Sequence, residues 1–312
     1  MPLILDGNRV RDQILRDLAP RVAALASAAR PPGLAVVLVG SHAASQIYVR
    51  NKVKACADLG IYSESITPPE SVTTGELLAI VESLNQRPEI DGVLVQLPLP
   101  HQVDTRRVLL AVSPEKDADG FHPYNMGNLV AGRPGPQPCT PAGIMELLKQ
   151  YQIQVAGKRA VVVGRSDIVG KPMALMLLHA HATVTICHSR TVDLPGVCRE
   201  GEILVAAMGR PAMLTADYIR PGAVVIDVGM NRITDPAEAA RIFRNSPERL
   251  ATLERKGSLL VGDVDPLAMQ EKAAAYTPVP GGVGPLTIAM LMANTVAAAE
   301  ARVGRKLASV VC

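Results

Sequence analysis

The chain has 312 residues, with 48% hydrophobic and 20% charged side chains, the balance of a folded protein of about two domains and not of a disordered one. Its 32 basic residues offset 29 acidic ones to a net charge of +3, and it contains no Trp and two Phe. That excludes the basic stripe of a phosphate-tracking nucleic-acid binder and the aromatic platform of a single-strand binder.

In chain order, MPLILDGNRVRD shows no basic segment leading into a long apolar one, so no secretory leader is expected. LAVVLVG (Leu34–Gly40) predicts a strand buried on both faces. SHAASQIYVRNKVKACADLGI (Ser41–Ile61) predicts a helix ended by Gly60, with Val49, Val53 and Cys56 as its buried stripe. Tyr48 and Lys52, four apart, share a neighbouring face. A partly buried Lys beside a Tyr is suited to general acid–base work, with a lowered pKa. A surface pair with the Lys stem lying along the protein reads the same. The Tyr-x-x-x-Lys pattern of short-chain dehydrogenases does not apply, because there the pair follows the dinucleotide turn and here it precedes it.

DGVLVQLPLP (Asp91–Pro100) predicts a second buried strand with Gln96 where its apolar run ends. Ligands in open α/β sheets sit at the carboxyl ends of strands, so Gln96 could orient the Lys52 ammonium; it could equally bond nearby backbone. SPEKDADGFHPYNMGNL (Ser113–Leu129) places Asp117 and Asp119 in a turn before Gly120, and Asx-turn chemistry accounts for at least one of them. AGRPGPQPCTP (Ala131–Pro141) is the domain seam, with Thr140 as N-cap and Pro141 opening the next helix.

KRAVVVGRSDIVGKPMALMLLHAHATVTICHSRT (Lys158–Thr191) reads as strand, glycine turn, helix, strand. It matches neither the P-loop nor the Rossmann glycine pattern by the letter, yet keeps a tight turn feeding a helix N-terminus that can face an anion. An ordinary βα turn would look similar. The second strand runs into Ser189 and Arg190 with no acid before Asp193, and Arg165 stands in the turn. A hydroxyl and a guanidinium where NAD sites carry a carboxylate favour a 2′-phosphate, hence NADP. A solvated Arg190 is the plainer alternative.

EILVAAMG, AVVIDVGM and SLLVGDVD continue the buried runs, so the expectation is an α/β fold of two doubly wound parallel sheets. In TPVPGGVGP (Thr277–Pro285) the prolines stiffen the approach and Gly281–Gly282 allow main chain close to a flat ligand; a rigid turn into the last helix is the other reading. Ala273 to Ala299 carries no charge, but only its part from Leu286 can be regular helix, too short for a membrane span of roughly 20 residues. Five scattered cysteines (Cys56, Cys139, Cys187, Cys198, Cys312) predict a reduced, cytoplasmic chain, and no His, Cys, Asp or Glu cluster has metal spacing.

YVRNK, DGVLVQLPLP, KDADGFH, PCTP, VVVGRSDIVGKP, CHSRT, GDVD and TPVPGGVGPLT occur in this order over nearly the whole chain. In this the sequence resembles the bifunctional methylenetetrahydrofolate dehydrogenase/methenyltetrahydrofolate cyclohydrolase family. The resemblance implies a folate-binding catalytic domain (1–140 with the C-terminal helix 286–312), a Rossmann-like NADP-binding domain (141–285), a cleft between them and a homodimer joined through the cofactor domains. It also implies oxidation of 5,10-methylenetetrahydrofolate by NADP and hydrolysis of the methenyl product to 10-formyltetrahydrofolate, within one-carbon metabolism and purine biosynthesis. Carried over, Lys52 is the acid–base of hydrolysis, Gln96 tunes it, Tyr48 packs on the folate and Asp119 anchors the pterin, with Pro278, Gly281 and Gly282 lining its pocket. Gly164, Arg165, Ser166, Ser189 and Met230 form the NADP site, with Thr140 and Thr277 near the nicotinamide. One departure is ITDPAEAARIFRNSPERLATLERKG (233–257), longer than the usual connection and partly helical in pattern. The competing readings are a shikimate dehydrogenase-like NADP oxidoreductase, which has no reason to carry LPLP after Gln96, and a silent NADP- or folate-binding protein, which would not need Lys52.

Overall fold

The computed structural model describes residues 1–310, without the side chains of Ala43, Ala44 and 305–310; Cys312 lies outside the described residues. The first elements are β1 (Leu3–Ile4), α1 (Gly7–Ala28), β2 (Gly33–Val37), α2 (Ala43–Leu59), β3 (Tyr62–Ile66) and α3 (Thr74–Gln86). Then come β4 (Gly92–Val95), α4 (Thr105–Ala111), α5 (Pro123–Val130), α6 (Cys139–Gln150), β5 (Arg159–Val163) and α7 (Gly170–His179). These are followed by β6 (Thr183–Cys187), α8 (Leu194–Arg199), β7 (Ile203–Ala206), β8 (Val224–Asp227) and β9 (Asn231–Ile233). The last are α9 (Pro236–Ile242), α10 (Pro247–Lys256), β10 (Leu259–Val261), α11 (Pro266–Lys272), β11 (Ala275–Tyr276) and α12 (Gly284–Val310).

The chain forms two compact units, one comprising Arg11–Cys139 with the chain from Ile288 on, the other Met1–Val10 with Thr140–Thr287. The expected division put the first residues with the substrate domain. They cluster with the other unit because β1 pairs in parallel with β11 at the edge of its sheet.

The first unit carries a three-stranded parallel sheet in the order β3-β2-β4. The chain leaves central β2 to one side and returns on the other, so the β2/β4 boundary is the topological switch point where ligands collect. β2 and β4 are buried at every position, as their unbroken Val/Leu runs predict. β3 was not foreseen: YSESI is polar and half exposed because it is an edge strand.

α12 is longer than expected, and its stretch Gly284–Gly304 is long and apolar enough to cross a membrane by length and composition. The shorter expectation failed because the helix begins at Gly284 and continues past Val303. Its apolar face has a use within the unit: Met292, Val296 and Ala299 are fully buried, and Cys56 Sγ lies 3.5 Å from the Met292 sulfur. That sulfur contact completes the α2 stripe begun by Val49.

The second unit carries a six-stranded parallel sheet, order β1-β11-β8-β7-β5-β6, with its switch point between β5 and β7. Two expectations are corrected here. β6, read as buried on both faces, is an edge strand with Thr183, Thr185 and Ile186 exposed. SLLVGDVD does not join the main sheet: β10 pairs antiparallel with β9 instead. The hairpin brackets the 233–257 segment, whose two helices form where the pattern suggested. Ile242, Phe243 and Leu253 bury a small core with Ile233, Leu259 and Val261, which explains the apolar run of β10 without a place in the main sheet. α6 starts at Cys139, so Thr140 sits inside its first turn and is not the N-cap.

Candidate functional site

In the first unit the reactive groups gather at the switch point. The Gln96 backbone N–H donates to the Val37 carbonyl at 2.8 Å, continuing the β4–β2 ladder one residue past the strand and fixing where the side chain starts. Its side-chain N–H donates to the Leu97 carbonyl at 2.8 Å, which turns the amide oxygen toward α2. Lys52 Nζ donates to that oxygen at 3.0 Å. Lys52 is thus half-buried and aimed, not lying along the surface. Tyr48, one turn earlier on α2, is 38% exposed, and burial of the rest of its ring raises its phenol pKa.

The two aspartates divide the work. Asp117 is buried and saturated: its carboxylate accepts from the Gly120 and His122 backbone N–H groups and from Asn125 Nδ2, at 3.2, 2.8 and 2.9 Å. It is the turn-former. The Asp119 carboxylate accepts no hydrogen bond from the described residues, and burial pushes its pKa up to about 6, with the Lys52 charge opposing and Asp117 adding to the rise. Partly buried and unpaired, it is available to a ligand donor.

A raised carboxyl pKa stabilises the folded state below the unfolded value of 3.8, and that stability is lost as pH rises through about 6. Asp119→Asn is therefore expected to gain stability relative to the parent between pH 4 and 6 and to hold a constant advantage above. The size is roughly 1–2 kcal/mol after allowance for partial exposure. Urea midpoints at pH 4, 6 and 8 check it; a constant difference across the three would show that Asp119 does not titrate in this range.

In the second unit a cavity of about 320 Å³ opens at the β5/β7 switch point, lined among others by Gly164, Arg165, Ser166, Ser189, Met208 and Arg210. Gly164 has φ +132°, and a Cβ there would sit 2.1 Å from the Ala207 carbonyl oxygen, so only glycine lets the β5 and β7 loops come this close at the mouth of the cavity. Ser166 Oγ accepts from the Val169 and Gly170 N–H groups at 3.2 and 3.3 Å, capping α7 from outside. The lining includes two guanidiniums and no carboxylate, the chemistry of a phosphate-bearing dinucleotide. A cradle that a Cβ would fill, at a switch point, with hydroxyl and guanidinium groups together, fits NADP.

The remaining expected residues are dispersed. Met230 is 43% exposed beside Gly284 and does not line this cavity. Thr277 is fully buried, its Oγ1 accepting from the Asp227 N–H at 2.8 Å, so it braces β8. In the 278–282 loop, Gly281 has φ +104° and its carbonyl accepts from the Gly7 N–H at 2.9 Å, while Gly282 is so near Gly7 that a Cβ on Gly7 would overlap its carbonyl oxygen. Thr140 lies in the first turn of α6.

Met208 and Arg210 of the lining were missed, as were two buried carboxylates behind it. Asp227, at the end of β8, is pushed up to about 7 by burial, against three backbone N–H donors. Asp263 is fully buried. A buried Asp reads in sequence like any loop Asp; GDVD was visible only as a block of residues.

These features define a two-unit α/β enzyme with a dinucleotide cradle in one unit and a lysine, amide and carboxylate set in the other. Residues 5–119 match the catalytic domain, and residues 138–303 the NAD(P)-binding domain, described for tetrahydrofolate dehydrogenase/cyclohydrolase. The chain is similar to the bifunctional protein FolD of Solibacter usitatus, 70% identical over 97% of this chain and 99% of that protein. It is 62% identical to the corresponding protein of Koribacter versatilis, over 96% of this chain and 98% of the relative. Among solved structures, the bifunctional FolD enzyme of Campylobacter jejuni superposes with a TM-score of 0.87 at 42% identity, covering 97% of this chain and 100% of that one. The Trypanosoma brucei methylenetetrahydrofolate dehydrogenase-cyclohydrolase, complexed with NADP cofactor and inhibitor, gives 0.86 at 38% identity, covering 97% and 98%. The chain belongs to the tetrahydrofolate dehydrogenase/cyclohydrolase family.

Proposed function

We propose that the chain oxidises 5,10-methylenetetrahydrofolate with NADP and hydrolyses the resulting 5,10-methenyl cation to 10-formyltetrahydrofolate. The 3.0 Å bond from Lys52 Nζ to Gln96 Oε1 carries the reading. Bound NADP supplies the hydride acceptor; the chain holds donor carbon and acceptor in near-attack geometry, and no acid is needed for that step. Hydrolysis does need proton handling. Water adds to the methenyl carbon and Lys52 takes one of its protons; Lys52 then protonates the departing nitrogen as that C–N bond opens, and the remaining hydroxyl proton passes to solvent as the formyl C=O forms. Gln96 accepts one Lys52 N–H and so holds the Lys52 nitrogen at the switch point.

Tyr48 packs against the folate and Asp119 accepts from the pterin N–H groups. The same proposal assigns Pro278, Gly281 and Gly282 to substrate binding. Gly164, Arg165, Ser166, Ser189 and Met230 serve the cofactor, with Thr140 and Thr277 toward the nicotinamide. A homodimer through the cofactor unit is supported by the edge strand β6, whose Ile186 is 44% exposed, and by Leu178 of α7, 55% exposed. Among the described residues four buried free cysteines support a reduced, cytoplasmic setting. The 10-formyl product suits formyl transfer, including purine biosynthesis.

The test is purified protein with methylenetetrahydrofolate and NADP, following NADPH by fluorescence and folates by chromatography. NADPH with 10-formyl product and little methenyl is the expected result; neither product nor NADPH would overturn the reading. Arg165→Ala tests the 2′-phosphate assignment: kcat/KM with NADP is expected to fall roughly 10–100-fold while the value with NAD holds. Equal losses with both cofactors would remove Arg165 from selectivity.

A further inference from the structure

The cavity assigned to NADP has walls of two kinds. The β5 side is capped on α7. The β7 side, residues 207–213, is a loop with no helix of its own to hold it, and it supplies Ala207, Met208, Arg210 and Met213 to the lining. It is held from behind. The Asp263 carboxylate accepts from three consecutive backbone N–H groups, those of Met208, Gly209 and Arg210, at 2.6, 2.9 and 2.8 Å. A fourth donor, Asn231 Nδ2, reaches it at 2.9 Å.

The anchor is itself anchored. The Asp263 and Val264 N–H groups donate to the two Asp227 oxygens at 2.8 and 2.9 Å, tying the 263–264 segment to the end of β8. The Ala212 and Leu214 N–H groups donate to the Gly262 and Asp263 carbonyls at 2.9 and 3.0 Å, so the loop's far end is pinned to the same segment. Gly262 and Gly229 make the room: a Cβ on the first would overlap Asp227 Oδ2, and one on the second would stand 2.4 Å from Asp263 Oδ1.

We propose that Asp263 is a positioning residue for the cofactor: by gathering three main-chain N–H groups it sets the 208–210 turn and so presents Met208 and the Arg210 side chain to the NADP cavity before cofactor arrives. Asp263 touches neither cofactor nor substrate; its effect passes through the loop. A carboxylate is required, since it alone accepts four hydrogen bonds without offering a donor. An Asn in its place would turn an NH₂ toward two or more N–H groups, and the turn would re-form with those groups facing elsewhere. Cofactor binding would then have to re-order the loop, which weakens affinity. The inference rests on the assignment of this cavity to NADP.

The experiment compares Asp263→Asn with the parent by equilibrium titration with NADP and by hydrolysis of methenyltetrahydrofolate without cofactor. The expected result is NADP affinity down by about tenfold or more, with cofactor-free hydrolysis near the parent value. Unchanged affinity, or equal losses in both assays, would overturn the proposal. Should the variant not fold, hydrogen exchange on the parent decides: the 208–210 amides are expected to be protected already without NADP, and free exchange until NADP is added would overturn it. Arg165→Ala separates the two readings. Weakened NADP binding there with none in Asp263→Asn removes only the positioning role; no effect in either removes the cavity assignment as well.

Discussion

Lys52→Met is expected to lower cyclohydrolase turnover by about 10²–10⁴-fold, the usual contribution of a positioned acid–base group, while folate still binds. Methionine keeps the length of the side chain and its packing on α2 but has no proton to give or take. The Gln96 amide oxygen then loses its 3.0 Å donor, yet Gln96 keeps its own bonds to the Leu97 and Val37 carbonyls, so the strand end stays in place. Hydride transfer needs geometry and no proton relay, so dehydrogenase turnover is expected to fall far less. The diagnostic result is accumulation of methenyltetrahydrofolate as NADPH forms. Hydrolysis at the parent rate would take Lys52 out of the mechanism, and parallel collapse of both activities would point to folding or folate binding instead.

How much of this was legible follows from which physical signal each residue sends. β2, β4, β5, β7 and β8 announce themselves because burial on both faces demands unbroken Val, Ile and Leu. β3 sends no such signal, since an edge strand tolerates the Ser and Glu of YSESI. β10 sends a false one: its apolar residues are buried by the inserted helices, and sequence cannot say which neighbour does the burying. The Lys52–Gln96 pair spans 44 residues and was reachable only because a polar residue at a strand's carboxyl end is where a switch point collects side chains. Asp117 and Asp119 could not be told apart by their letters. Their difference lies in three donors that surround one and not the other. Buried carboxylates whose donors lie far away along the chain, such as Asp263, leave no pattern in spacing or charge.

Asp91 belongs to that silent group, and Asp91→Ala is expected to destabilise the first unit by about 3–5 kcal/mol, as loss of one partner from a buried ion pair does. Asp91 is 4% exposed and stands immediately before β4, the strand that ends in Gln96. Its carboxylate receives Arg30 Nη1 and Nη2 at 2.8 and 3.1 Å, Arg302 Nε at 2.7 Å and the Gly33 N–H at 2.9 Å. One acid therefore ties together the chain just after α1, the start of β2 and the late turns of α12. Removing it leaves two guanidiniums facing each other in a poorly solvated site, and Arg302 Nη2 already has no partner there. The cost comes from the orphaned charges more than from the lost attraction, so Arg302→Met combined with Asp91→Ala is expected to recover part of it. Urea unfolding of the parent, the single variants and the double variant measures the coupling. Additive losses would mean that the two side chains do not act as a pair, and a loss below about 1 kcal/mol for Asp91→Ala would place this cluster among ordinary surface ion pairs.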